Sequence, residues 1–187
     1  MSRILILYGT TDGHTRKVAE AVAKAFREEG CNTEVREARV SGPSVAPEPF
    51  EAVVVAASIH ASGFQRPVKQ WVRAHAAELN RRPSAFLAVC LGILEPKAEA
   101  RQQVWTIIDR FVDGAGWKPD VRLPIAGALP YSRYGWFKKW IIRRIVAKAG
   151  GDTDTSRDYE YTDWQALAEF VHHFVTEHGL VARPMTV

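Results

Sequence analysis

Apolar residues fall into short continuous runs, and between these runs they recur at helical spacing. Arg3-Ile4-Leu5-Ile6-Leu7-Tyr8 is almost wholly apolar and closes on Gly9, which predicts a strand buried on both faces. From Thr15 to Glu29 the apolar positions are Val18, Ala21, Val22, Ala25 and Phe26, a helical stripe that Gly30 should stop. Asn32 to Glu37 alternates as a half-buried strand does, and the Pro-rich stretch from Gly42 to Pro49 reads as a loop. Glu51 to Ser58 and Ser84 to Cys90 are further buried strands, and Val121 to Ala126 is a fifth. Helical spacing returns over Pro67–Leu79, Ala98–Val112 and Trp164–Val175, the last capped by Thr162 or Asp163.

Strands that alternate with helices in this way predict an α/β fold with a parallel sheet and right-handed crossovers. Leu129 to Tyr161 breaks the rhythm. It lies between the fifth strand and the last helix, where a few residues would suffice, so it reads as an insertion. The 187 residues otherwise suit one domain, 1–187, with 129–161 inserted in it. The first apolar run is too short for a signal-peptide core, which predicts a cytosolic protein. No apolar run is long enough for an ordinary membrane-spanning helix.

Composition changes the picture in one place. Hydrophobic residues at 47% and charged residues at 25% are ordinary globular values and exclude general disorder. The net charge of +4, however, is local. Arg133, Lys138, Lys139, Arg143, Arg144 and Lys148 lie between Ala128 and Ala149 with no acid among them, and without these six the chain would carry −2. A mildly acidic body thus carries one basic segment, rich in Trp and Tyr, that should meet an anionic partner. Its apolar residues, Trp136, Phe137, Trp140, Ile141, Ile142, Ile145 and Val146, suit a membrane surface with anionic lipid. At about 100° per residue its cations do not form a single face, so part of it should bend or snorkel. No nucleic-acid motif accompanies it, and none is expected as a partner.

Candidate chemistry begins where the first strand ends. In a doubly wound sheet, ligands sit beyond the carboxyl ends of the strands. Thr10-Thr11-Asp12-Gly13-His14-Thr15 leaves the first strand there and opens a helix whose free N–H groups favour a phosphate. Thr10, Thr11 and Thr15 add hydroxyl donors, and Gly13 lets backbone approach closely. Asp12 should point outward or cap the loop. Neither GxxxxGK[ST] nor GxGxxG is present, which disfavours a nucleoside triphosphate or NAD and leaves a monophosphate.

Tyr8-Gly9-Thr10-Thr11-Asp12-Gly13-His14-Thr15 resembles the FMN phosphate loop of flavodoxins. That resemblance implies a five-stranded sheet of order 2-1-3-4-5 and FMN bound by three loops. The matching segments are Thr10–Thr15, Ser58–Gly63 and Cys90–Leu94, with Ser58, Ile59, His60, Ala61, Cys90, Leu91 and Gly92 as candidate contacts. His60 and Phe64 are the nearest aromatics that could cover the flavin ring. The third loop has none.

Later motifs narrow the resemblance. Ile125-Ala126-Gly127-Ala128-Leu129, Gly150-Gly151-Asp152-Thr153-Asp154-Thr155 and Tyr161-Thr162-Asp163-Trp164 are similar to the flavodoxin-like bacterial quinone-dependent protoporphyrinogen dehydrogenases. The resemblance spans nearly the whole chain. It implies oxidation of protoporphyrinogen IX to protoporphyrin IX, electron transfer to menaquinone or ubiquinone, and peripheral association with the cytoplasmic face of the inner membrane. It also brings Gly127, Ala128 and Leu129 toward the flavin and offers Tyr131, Arg133, Tyr134 and Trp136 as substrate contacts. Whether the chain forms a homo-oligomer is left open. Two other functions stay in view: a flavodoxin-type electron carrier, and an NAD(P)H:quinone reductase. Ser58 beside His60 lacks the GxSxG elbow of a hydrolase, and His172, His173 and His178 lack zinc spacing, so no metal is expected. Cys31 and Cys90 have no CxxC spacing and should be buried thiols.

Overall fold

The computed structural model describes residues 1–39, 45–60, 63–129 and 159–180. The apolar runs become the strands of one sheet: β1 (Arg3–Gly9), β2 (Asn32–Glu37), β3 (Ala52–Ser58), β4 (Ser84–Cys90) and β5 (Val121–Ala126). All pair in parallel, as the alternation predicts, and in the order β2-β1-β3-β4-β5, as the flavodoxin resemblance implies. Every residue of β3 and β4 is buried, as central strands covered on both faces require. β2 and β5 form the edges and stay half exposed, which explains their weaker apolar pattern.

Strand period sorts the core into two layers. Ile4, Ile6 and Tyr8 face α1 (His14–Glu28) and α4 (Trp164–Glu177), where Val18, Val22, Phe26, Val171 and Phe174 close over them. Leu5 and Leu7 face α2 (Arg66–Leu79) and α3 (Ala98–Ala115), meeting Val68, Trp71, Val72, Ile108 and Phe111. Each fully buried aliphatic side chain contributes about 1.5–3 kcal/mol. Close approach is enforced at Gly9, where a Cβ would lie 2.4 Å from Val68 Cγ2, so only glycine lets α2 pack against the end of β1.

Helix ends differ from expectation by a turn or less. α1 stops before Gly30, which adopts φ 82°. α3 runs on past Val112 to Ala115 and ends at Gly116, φ 70°. The extra turn carries the chain to Trp117, which is buried and donates its indole N–H to Ser84 Oγ at 3.0 Å. α4 is capped by Asp163, whose Oδ1 accepts the Ala166 N–H at 2.9 Å. The described ends of the inserted segment form a small antiparallel ladder, β6 (Ala128–Leu129) with β7 (Tyr159–Glu160), that period alone does not reveal.

Candidate functional site

β1 and β3 are neighbours, yet α1 packs on one face of the sheet and α2 on the other. The loops leaving these strands therefore diverge and open a crevice at the carboxyl edge, where ligands of doubly wound sheets bind. The loop after β1 lines one side. Gly13 closes it in the left-handed conformation, φ 90°, and stands as the N-cap of α1 with no side-chain cap. The first turn of α1 carries no acid, so its positive end is not neutralised from within the helix.

The hydroxyl groups of this loop have a common polarity. Thr10 Oγ1 accepts the Gly13 N–H at 2.9 Å. Thr11 Oγ1 accepts from Gln65 Nε2 at 3.2 Å, and Ser58 Oγ accepts from the same amide at 2.6 Å. A hydroxyl that accepts from a fixed donor keeps its own proton to give. Thr15 is almost fully buried, and its Oγ1 has no partner. Leaving a buried hydroxyl unpaired costs about 1–3 kcal/mol. Together these groups form a set of O–H donors at the positive end of α1, which fits the phosphate of a bound ester.

His14 is drawn away from that set. Its Nε2 lies 2.7 Å from Thr162 Oγ1, and Thr162 donates its single hydroxyl proton to the Ala126 carbonyl at 2.7 Å. His14 must then donate from Nε2, which fixes the tautomer. Its Nδ1 lies 3.8 Å from Glu160 Oε2, a carboxylate also bonded by Lys17 at 2.8 Å and by the Trp164 indole at 3.1 Å. Burial pushes the His14 pKa down, Glu160 partly opposes this, and Lys17 adds to it. The hydrogen bond from Lys17 holds the Glu160 carboxyl below its usual range. The start of α1 is thereby tied to the end of β5 and to the foot of the inserted segment.

The second and third loops contribute less chemistry than their sequence suggests. Ile59 is half-buried and its N–H reaches the Val89 carbonyl at 2.9 Å; exposed His60 pairs through its backbone with Gly63. Phe64 does not stand ready to cover a ring. It is buried with its centroid 5.0 Å from both Phe86 and Phe111, because Val68 and Trp71 on the following helix draw it into the lower core layer. Cys90 is buried and its thiol pKa is pushed up by burial, against weaker hydrogen bonds from Ile93 and Gly92, so it is a protonated packing group. Leu91 leads into a short 3-10 turn, Gly92–Leu94.

Gly127 N–H bonds to the Cys90 carbonyl at 3.1 Å, and a Cβ there would lie 3.3 Å from Val89 Cγ1. Ala128 and Leu129 then pair with Glu160 and Tyr159. The inserted segment thus leaves and rejoins the body beside the third loop. Ala61, Tyr131, Arg133, Tyr134 and Trp136 lie outside the described residues, as does the basic segment. Gln65 and Glu160 are site residues that the sequence does not announce. Each is a lone polar residue beside an element end, with no spacing to mark it. Thr162 is legible only as a candidate cap, a role Asp163 takes instead. Among the described residues no cluster of three or more His, Cys, Asp or Glu could hold a metal, and no helix is long and apolar enough to cross a membrane.

Comparison with known proteins agrees with this geometry. A family profile described as the flavodoxin domain matches residues 5–156. A protoporphyrinogen IX dehydrogenase [quinone] of Escherichia coli K12 is 36% identical over 90% of this chain and 92% of its own length. A protein of the same name from Leishmania major is 35% identical over 92% of this chain and 74% of its own. Among solved structures, oxidised flavodoxin 1 from Bacillus cereus superposes with a TM-score of 0.57 at 15% identity, covering 94% of this chain and 98% of that one.

Proposed function

The chain belongs to the flavodoxin-domain family, among the quinone-linked protoporphyrinogen IX dehydrogenases, and from that membership we propose that it oxidises protoporphyrinogen IX to protoporphyrin IX with FMN as its redox group. The reaction rests on the 36% identity shared with the Escherichia coli dehydrogenase across nine-tenths of the chain. FMN rests on the buried, unpartnered Thr15 hydroxyl within the loop 10–15.

In this reading Thr10, Thr11, Gly13 and Thr15 hold the FMN phosphate. Asp12 completes the loop and His14 braces it from behind. Ser58, Ile59, His60, Ala61, Cys90, Leu91, Gly92, Gly127, Ala128 and Leu129 surround the rest of the cofactor. Bound FMN supplies a two-electron acceptor for the porphyrinogen and a donor for the quinone. The protein contributes position, exclusion of water and charge. The porphyrinogen is apolar with two propionates, which suits Tyr131, Arg133, Tyr134 and Trp136: aromatic faces for the macrocycle and a guanidinium for a carboxylate. Residues 1–187 then form one flavin domain, with 129–161 inserted at its active edge. The insertion's basic, aromatic stretch meets the anionic cytoplasmic face of the membrane that holds menaquinone or ubiquinone.

Anaerobic mixing of the FMN-loaded protein with protoporphyrinogen IX tests the proposal. The flavin absorbance should bleach and return on addition of quinone. Bleaching by NAD(P)H instead would make the protein a quinone reductase, and bleaching by neither would make it an electron carrier.

A further inference from the structure

A second concave surface lies between α2 and α3. It encloses about 310 Å³, and its rim carries Arg66, Lys69 and Arg73 from α2 and Arg110 from α3. The three on α2 stand three and four residues apart, so they share one face of that helix. Phe111 and Gly114 line the groove between them. The Arg73 guanidinium reaches across it and donates to the Gly114 carbonyl at 3.3 Å, which fixes one side of the cleft. A Cβ on Gly114 would meet nothing within 4 Å, so the space above it is open.

Among the described residues some cations stand in ion pairs, such as Arg16 with Glu20, Lys24 with Glu28, Arg82 with Glu78 and Arg122 with Asp109, while Arg27, Lys97, Arg101 and Lys118 stand in none; the groove is where four cations of the second kind come together. None of Arg66, Lys69, Arg73 and Arg110 stands in an ion pair among the described residues, and no acid lines the cleft. Four like charges gathered without a counter-charge repel one another, and a bound anion relieves that cost. The donor set favours a dianion. A phosphate, with two charges and three terminal oxygens, accepts from several guanidinium forks at once and balances more of this charge than a single carboxylate does. The volume is at the small end of ligand cavities, which run to roughly 300–1,000 Å³. We propose that the α2–α3 groove is a binding site for a doubly charged phosphate group, either on a small phosphorylated molecule or on the headgroup of an acidic lipid.

Two probes separate the sources. Inorganic pyrophosphate is titrated calorimetrically into the full-length protein at fixed ionic strength. In a second arm the protein is floated with phosphatidylcholine vesicles containing phosphatidic acid. Each arm compares the wild type with Arg73→Gln/Arg110→Gln and with Gly114→Glu. The latter keeps all four cations but sets an acid in open space, and both variants are checked by thermal melting. Pyrophosphate also meets the loop after β1, so the groove's share is the difference between wild type and variants. A loss of tenfold or more in both variants supports the site: in the first arm for a soluble ligand, in the second for a lipid. Binding unchanged in the variants, or absent from the wild type in both arms, overturns it.

Discussion

Thr15 offers a way to separate cofactor binding from folding at a single atom. Its Oγ1 is buried and unpartnered, so Thr15→Val removes a group the empty fold does not use. The variant should melt at or slightly above the wild-type temperature, since about 1–3 kcal/mol of unmet hydrogen bonding disappears. FMN affinity, read by quenching of flavin fluorescence, should fall at least tenfold; unchanged affinity would remove Thr15 from the phosphate site. His14 carries a pH prediction. Burial holds its folded pKa below the ordinary 6.5, so the unfolded chain takes up the proton first as pH falls. Stability is therefore independent of this group above about pH 6.5 and declines on acidification below it, until the folded pKa is reached. Melting temperature against pH should show that decline in the wild type and a shallower one in His14→Gln, whose amide can still donate to Thr162. Identical slopes would contradict the burial argument. The loop itself was legible in the sequence, because small and polar residues with a glycine interrupt the apolar pattern between a buried strand and a helix. Neither the tautomer of His14 nor the missing partner of Thr15 was, since both depend on atoms brought from residues 126, 160 and 162.

Among the elements, the joint between β5, α1 and the foot of the insertion is the most exposed to test. Thr162→Val strands two groups, the Ala126 carbonyl and the His14 Nε2–H. It should cost about 1–3 kcal/mol and lower the melting temperature by several degrees. Asp163→Ala, which removes only the α4 cap, should cost about 1 kcal/mol. If Thr162→Val proves neutral, the hydroxyl does not bridge the two. Elements with a full period were readable: β3 and β4 declare themselves by unbroken apolar runs, α1 and α2 by their stripes. The β6–β7 ladder was not, because two residues per strand carry no period. Phe64 marks a subtler limit. An aromatic beside a loop reads as a ring-stacking candidate, yet its neighbours Phe86 and Phe111 come from strands and helices far along the chain.

For the whole molecule, the sharpest prediction concerns division of labour. The candidate phosphate loop is built by β1, α1 and Gln65, none of which belongs to the insertion. Deleting residues 131–156 should leave FMN bound while abolishing porphyrinogen-dependent flavin reduction, measured by anaerobic bleaching. Retained turnover would deny the insertion its part in substrate binding. The same deletion removes the local excess of cations and should weaken binding to anionic vesicles, while the α2–α3 groove remains in place.

The amino-acid order alone determined the alternation of buried strands and amphipathic helices and the position of the hydroxyl-rich loop after β1. Each is written in local period or in residues adjacent along the chain. Only the tertiary structure decided which hydroxyls are spent and which are free, that Phe64 belongs to the core, and that four cations from two helices converge without a counter-charge. Those properties arise between residues distant in sequence, where hydrogen-bond partners and charge balance exist only once the sheet has brought them together.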